Sequence, residues 1–214
     1  MKHKEGRTSS PSGRRENLSG FNREASGASP LSFAHAPVGM PHVHSFPPID
    51  DSTARVLILG SMPGKESLRA GQYYAHRRNS FWAIMGDLIG AGPALPYESR
   101  IQILKSAGIA LWDVLASCMR NSSLDSDIDE TSISPNDFES FFLTHPSITH
   151  LFFNGYMAEK CFRMRVQPLL EPRSLHYRRL PSTSPANASM PYDQKLRAWE
   201  VITKDQKRMI FSGL

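Results

Sequence analysis

The chain is poor in cysteine and has no long apolar run. Its 214 residues include only two cysteines, Cys118 and Cys161, which form no ligand-spaced set. This excludes an iron–sulfur cluster held by four cysteines and argues against a disulfide scaffold. Because no apolar run is long enough to cross a bilayer, we expect no membrane contact. We expect an intracellular, cytoplasmic protein, associated with the nucleoid if the source is bacterial.

Metal-binding patterns are also missing. The histidines near the start, His35, His42 and His44, have no cysteine or carboxylate partner at ligand spacing. We therefore predict no metal site and no other cofactor.

Residues 1–46 have the composition of a disordered segment. They are rich in Ser, Gly, Pro, Arg and His, and their few apolar residues follow no helical or strand period. Such a segment buries too little apolar surface to offset the entropy of the chain. We predict a disordered basic extension over residues 1–46 and one domain over residues 47–214. An alternative is that translation begins at Met40. The net charge of +5 is compatible with a nucleic-acid partner.

Strand and helix signals alternate along residues 47–214. Short apolar runs predict strands at 55–59, 109–114, 150–153 and 177–180. Helical periodicity predicts helices at 80–89, 97–106, 156–166 and 192–207, and Ser134-Pro135 predicts the capped start of another. This alternation is typical of an α/β fold: a single domain whose central, mostly parallel four-stranded sheet is flanked by helices. We expect it to be a monomer.

Several polar or glycine-rich segments follow directly after the predicted strands. They are residues 60–64, Asp113, Asn154 and residues 181–187. In open α/β sheets, ligands bind at the carboxyl ends of the strands. The sequence therefore predicts one site at this edge of the sheet.

Two neighbouring motifs indicate the kind of ligand. Gly60-Ser61-Met62-Pro63-Gly64 is followed by Gln72-Tyr73-Tyr74-Ala75-His76-Arg77-Arg78-Asn79-Ser80-Phe81-Trp82. The first motif is not a P-loop, because it is one residue short and Glu66 replaces the magnesium-binding Ser or Thr. The aromatic, basic and amide side chains of the second suit a flat, stackable ligand beside a polyanion. A nucleobase on a DNA strand fits that description.

These motifs resemble those of the uracil-DNA glycosylase superfamily and are most similar to its hypoxanthine-DNA (deoxyinosine) glycosylase branch. That branch is related to the mismatch-specific uracil and thymine glycosylases. The similarity extends over residues 45–202 and includes, in the same order, Leu111-Trp112-Asp113-Val114, Ser123-Leu124-Asp125-Ser126, Phe152-Phe153-Asn154-Gly155 and Leu180-Pro181-Ser182-Thr183-Ser184-Pro185-Ala186-Asn187. The resemblance implies a uracil-DNA glycosylase-like fold and an enzyme that flips a base out of DNA before cutting its glycosidic bond.

The resemblance also implies roles for individual residues. Tyr74 would stack on the flipped base, Asn79 would orient a water towards C1′ of the deoxyribose, and Asn154 would read the base edge. Each has a plain structural alternative: a packing tyrosine, a cap for the helix that begins near Ser80, and a turn residue before Gly155. The implied set comprises catalytic Asn79, base-binding Gly60, Ser61, Met62, Tyr74, Phe81 and Asn154, and DNA-binding Pro63, Gly64, Arg78, Ser182, Thr183, Ser184 and Pro185.

Met62 departs from the superfamily pattern. Other members carry an acidic residue or an asparagine there to position water, which a thioether cannot do. Arg77 stands where the related motif usually has proline, and it adds a possible phosphate contact. We expect Asp113 to order its loop rather than act as a base.

We predict a monofunctional DNA glycosylase of base excision repair that hydrolyses the glycosidic bond of a deaminated base in DNA. The base that we expect it to remove is hypoxanthine. No lysine occupies a motif position suited to a Schiff base, so strand cleavage should not follow. Three alternatives remain open: a uracil or mixed-specificity mismatch glycosylase, a non-catalytic binder of damaged or single-stranded DNA, and an α/β hydrolase of free nucleosides.

Overall fold

The computed structural model describes residues 39–204. Its strands are β1 (His42–His44), β2 (Val56–Gly60), β3 (Ile109–Asp113), β4 (Leu115–Met119), β5 (Ser134–Pro135), β6 (His150–Asn154) and β7 (His176–Leu180). Its α-helices are α1 (Lys65–Ala70), α2 (Phe81–Ile89), α3 (Tyr97–Ser106), α4 (Phe138–Thr144), α5 (Tyr156–Cys161) and α6 (Tyr192–Trp199).

The central sheet has four strands in the order β3-β2-β6-β7, and every neighbouring pair is parallel. All residues of β2 and β3 are buried, as expected for strands that are covered on both faces. The predicted α/β fold, with a parallel four-stranded sheet flanked by helices, is confirmed.

Alternate strand residues belong to two separate cores, because successive side chains point to opposite faces of a sheet. Leu57 and Leu59 pack with the apolar residues of α4 and α5. Val56 and Ile58 pack with those of α2, α3 and α6. Within residues 39–204, no helix combines the length and the apolar character needed to cross a bilayer.

A second, three-stranded antiparallel sheet was not predicted. Its order is β1-β4-β5, and β1 aligns His42 with Met119 and His44 with Ser117. The folded part therefore begins before residue 47, within the segment that was assigned to the extension. The rest of the predicted extension, residues 1–38, lies outside the described residues.

The predicted helix start at Ser134-Pro135 is wrong. These two residues pair with β4 as strand β5. Helix α4 begins at Phe138 instead, because the Asp137 carboxylate accepts a hydrogen bond from Ser140 N–H at 3.0 Å and caps the helix.

Two other helices differ from their predicted bounds. The predicted helix over 156–166 consists of α5 followed by a π-helical turn at Phe162–Val166. Residues 205–207 of the last predicted helix lie outside the described part of the chain. The short helix α1, which follows the Gly60–Gly64 turn directly, was not predicted.

Gly155 permits a close approach between β6 and the loop of residues 181–187. Its φ of 98° and ψ of 175° lie in a region that is essentially restricted to glycine. A Cβ at this position would lie 2.9 Å from the Ser182 Cβ. The end of β6 and the loop can therefore approach each other this closely only because residue 155 has no side chain.

We predict that Gly155→Ala lowers the free energy of unfolding by about 2 kcal/mol or more, from backbone strain and overlap with Ser182. Urea denaturation measures this. Gly92→Ala is a matched control, because its Cβ would lie at an ordinary 3.6 Å from Gly86 Cα; it should change stability by less than about 1 kcal/mol. Equal losses in the two variants would contradict the prediction.

Candidate active site

One pocket of about 740 Å³ opens at the carboxyl ends of the parallel strands. Its walls come from four segments: the turn after β2 with the start of α1, the segment before α2, a loop after β4, and the loop after β7. The lining residues of these segments are residues 60–67, Tyr73, Tyr74, His76, Arg78, Asn79, residues 123–126, Ser182 and residues 184–187. The side chains of Asp113 and Asn154, at the ends of β3 and β6, also line it. The structure thus brings the strand ends together as the sequence predicted.

The turn after β2 is fixed to the loop after β4. Ser61 Oγ donates to Asp125 Oδ1 at 2.7 Å, and Lys65 N–H donates to Ser123 Oγ at 2.9 Å. The buried Arg120 guanidinium donates to the Pro63 carbonyl. These contacts make one wall of the pocket out of two loops that are far apart in sequence.

Tyr74 presents an aromatic face to the pocket. Its φ of 54° makes it the one non-glycine residue with positive φ among residues 39–204, a conformation that is rare for a bulky side chain. One face of its ring stacks on Phe81, with the ring centroids 4.1 Å apart. Its buried hydroxyl has no hydrogen-bond partner within the described residues. Such strain and an unpaired polar atom are characteristic of functional sites.

Asn79 lies just before the N-terminus of α2. Its Oδ1 accepts a hydrogen bond from Phe81 N–H at 3.0 Å, so the capping role that was the alternative for this residue is present. No bond to its Nδ2 is found within residues 39–204, and the residue also lines the pocket. This bond fixes the orientation of the amide.

Asn154 is held by two bonds to Thr183. Asn154 Oδ1 accepts from Thr183 N–H at 2.9 Å, and Asn154 Nδ2 donates to Thr183 Oγ1 at 2.9 Å. Because a backbone N–H can only donate, the first bond fixes which end of the amide is oxygen. Each end keeps one further hydrogen-bonding position for a ligand.

Asp113 is a carboxylic acid in the wall of the pocket. Its side chain is only 3% exposed, and its Oδ2 accepts a hydrogen bond from Ser45 Oγ at 2.9 Å. Burial raises the pKa of Asp113 to about 7, although the bond from Ser45 opposes this shift. A Cβ on Gly60 would lie 2.2 Å from Asp113 Oδ1 and 3.0 Å from the Tyr74 hydroxyl, so glycine is required here.

Most of the predicted site residues line the pocket. These are Gly60, Ser61, Met62, Pro63, Gly64, Tyr74, Arg78, Asn79, Asn154, Ser182, Ser184 and Pro185. Phe81 does not line it, because it is completely buried behind Tyr74. Thr183 does not line it either; it is 1% exposed and bonds to Asn154.

Three residues that were not among the predicted site residues, His76, Asp125 and Asn187, also line the pocket. Asp125 belongs to the quoted motif Ser123-Leu124-Asp125-Ser126, so a signal was available, but the preceding strand β4 was missed. Among residues 39–204, no three His, Cys, Asp or Glu side chains are grouped so that they could hold a metal ion.

Comparison with known proteins identifies relatives over most of the chain. A family model for the Uracil DNA glycosylase superfamily matches residues 46–203. A Hypoxanthine DNA glycosylase of Methanosarcina acetivorans is 35% identical over 158 residues, covering 73% of this chain and 95% of the relative. One of Methanosarcina barkeri is 34% identical over 143 residues, covering 66% and 86%.

A solved structure is also similar. It is a solution NMR structure from Methanosarcina acetivorans, described as that of a candidate uracil DNA glycosylase. The TM-score is 0.66 at 31% sequence identity, and the match covers 78% of this chain and 99% of that one. The resemblance in the sequence motifs is thereby confirmed.

The buried acid should make stability depend on pH. The folded state holds the Asp113 proton up to about pH 7, whereas the ordinary pKa is 3.8, so stability falls as pH rises between these values. Asp113→Asn has no charge to bury. Its free energy of unfolding relative to the parent protein should therefore rise by about 2–4 kcal/mol between pH 4 and pH 8.

Chemical denaturation at several pH values measures this difference. Ser45→Ala removes a donor to the carboxylate and should move the pH dependence to higher pH. A difference between Asp113→Asn and the parent that does not change with pH would contradict the prediction.

Proposed function

The chain belongs to the uracil DNA glycosylase superfamily, and we propose that it removes hypoxanthine from DNA by hydrolysing the bond between the base and C1′ of its deoxyribose. It would act as a monomer on DNA that contains the deaminated base, in base excision repair. In a bacterium it would work at the nucleoid. Two relatives at about 35% identity that are named hypoxanthine DNA glycosylase support the choice of base.

One observation carries the proposal. The lining of a single pocket includes an aromatic ring (Tyr74) and two oriented amides (Asn154 and Asn79). An extruded base needs a surface to stack on and groups that pair with its edge. Hydrolysis needs, in addition, a group that holds a water molecule beside the sugar.

Tyr74 and Asn154 would bind the base. Phe81 covers one face of the Tyr74 ring, so the face towards the pocket is free to stack on a purine, which is worth about 1–3 kcal/mol. Asn154 has one N–H and one oxygen lone pair left after its bonds to Thr183. These match O6 and N1–H of hypoxanthine.

Asn79 would orient the water. An amide is a poor base, so the reaction must proceed by largely breaking the bond between C1′ and the base nitrogen first. The electron pair leaves with the base, and the sugar becomes an oxocarbenium-like cation. Water then forms a bond from its oxygen to C1′ and loses a proton, and uptake of one proton by the departing base anion gives the neutral base. The protein's contribution is to position the water and to stabilise the separated charges.

The strand would be held by the loop after β7. Ser182 and Ser184 line the pocket and can bond to phosphate oxygens, as can the side chain of Arg78. Thr183, which was predicted to touch DNA, is turned inwards and would act only by holding Asn154 in place.

We predict that Asn79→Ala lowers the single-turnover rate of deoxyinosine cleavage by about 100-fold or more, as for removal of other preorganised polar groups. The assay uses oligonucleotides with one deoxyinosine, deoxyuridine or deoxyxanthosine, and alkali reveals the abasic sites. No cleavage of any of them by the parent protein, with DNA binding intact, would leave a damage-binding module. Preference for deoxyuridine would assign a uracil or mixed-specificity enzyme.

Asn79→Ser separates capping from catalysis. Serine is a good helix cap, so this variant should unfold at nearly the same temperature as the parent protein. It lacks the amide and should be as inactive as Asn79→Ala. Normal activity in Asn79→Ser would show that the residue only caps α2.

The stacking role of Tyr74 gives a further prediction. Tyr74→Leu should weaken binding of a non-cleavable deoxyinosine duplex by about 5- to 100-fold, because it removes the aromatic face. Tyr74→Phe keeps that face and should bind almost as tightly. Fluorescence anisotropy measures both affinities. Equal affinities for the leucine and phenylalanine variants would argue against stacking.

A further inference from the structure

A second, smaller pocket lies beside the first. It has a volume of about 200 Å³ and is lined by residues of the segment before α2, the loop after β7, and α6. Arg78, Ser184 and Pro185 line both pockets. The two pockets therefore adjoin along these three residues.

Lys195 supplies a buried positive charge to this second pocket. The residue is only 6% exposed. Within the described residues, its Nζ makes one hydrogen bond, to the Asn187 carbonyl at 2.8 Å, and no ion pair. Two of its three N–H groups thus have no partner among residues 39–204. A buried ammonium is costly unless an anion accompanies it, so the pocket is suited to an anionic ligand.

Arg78 adds a second cation at the same pocket. Its guanidinium makes no hydrogen bond or ion pair to the described part of the chain, and the residue is exposed. The hydroxyl of Ser184, also in the lining, can donate to an oxyanion. The nearby carboxylate, Asp87, is occupied by a hydrogen bond from the Tyr192 hydroxyl at 2.7 Å.

We propose that this second pocket binds a backbone phosphate of the target DNA strand next to the extruded nucleotide, with Lys195 and Arg78 as its two cations. The inference rests on the proposed function, because it assumes that a nucleotide occupies the large pocket. The shared lining places the small pocket where the strand leaves that nucleotide. Lys195 therefore binds the strand in addition to holding the loop through Asn187.

A coupling experiment tests the site. The probe is a duplex with one 2′-fluoro-deoxyinosine, whose glycosidic bond resists cleavage, and with each flanking phosphate replaced in turn by a neutral methylphosphonate. Lys195→Gln should bind the unmodified probe on the order of tenfold more weakly, the loss expected for one charge-assisted contact. At one particular phosphate, the methylphosphonate should lower the affinity of the parent protein by a similar factor. The same methylphosphonate should hardly lower the affinity of Lys195→Gln any further, because the contact is already lost.

The control is Lys204→Gln. Lys204 is an exposed lysine that pairs with Glu200 beyond the end of α6. The effect of Lys204→Gln on the binding free energy should therefore add to the effect of every methylphosphonate. If the effect of Lys195→Gln is also additive with every methylphosphonate, or if this variant binds the probe as tightly as the parent protein, the proposed phosphate site is wrong. If Lys195→Gln does not fold, as judged by circular dichroism, Arg78→Gln with the same probes decides in its place.

Failure of the proposed function would show separately. Cleavage of an ordinary deoxyinosine duplex by the parent protein, without coupling at any phosphate, would overturn only the phosphate site. No cleavage of deoxyinosine and no preference for the inosine probe over undamaged DNA would overturn the function itself.

Discussion

The site depends on the bonds that converge on Thr183. Its N–H and hydroxyl bind the Asn154 amide, and its carbonyl accepts from both N–H and Oγ of Ser80, at 3.0 and 3.2 Å. One buried residue therefore connects the end of β6, the N-terminus of α2 and the loop after β7. Asn79 and Asn154, the two amides assigned to water and base, are positioned relative to each other through it. A polar network of this kind is stabilising only when every member is satisfied, so its geometry has little freedom.

A second constraint is the crowding around Gly60. Asp113 Oδ1 and the Tyr74 hydroxyl both approach the place that a Cβ would take, and the Tyr74 backbone is held at positive φ. The stack on Phe81 offsets part of that strain, because aromatic pairs contribute beyond their buried area. These contacts restrict the positions that the Tyr74 ring can take. Preorganisation of this kind reduces the entropy that binding has to overcome.

The sheet could be predicted from the sequence because its strands are short apolar runs buried on both faces, which leave little ambiguity. The antiparallel sheet could not, because β1 lies in a polar segment and β4 follows β3 after a single residue, Val114. The motifs identified the pocket but not the direction of each side chain. Thr183 and Phe81 were predicted as ligand contacts because they belong to the motifs. Both instead pack behind a residue that lines the pocket: Phe81 contacts Tyr74, and Thr183 bonds to Asn154. Whether a side chain faces the pocket or the interior is decided by tertiary packing.

The distribution of charge in the pocket fits the reaction proposed for it. Three acids, Glu66, Asp113 and Asp125, line the large pocket together with two cations, Lys65 and Arg78. Lys195 adds a third cation in the small pocket beside it. A uniformly basic pocket would attract the strand but would repel the positive charge that develops on the sugar as the base departs. A pocket that carries both acids and cations serves both needs. Because burial raises the pKa of Asp113 to about 7, the three acids also repel phosphate less strongly than three full charges would.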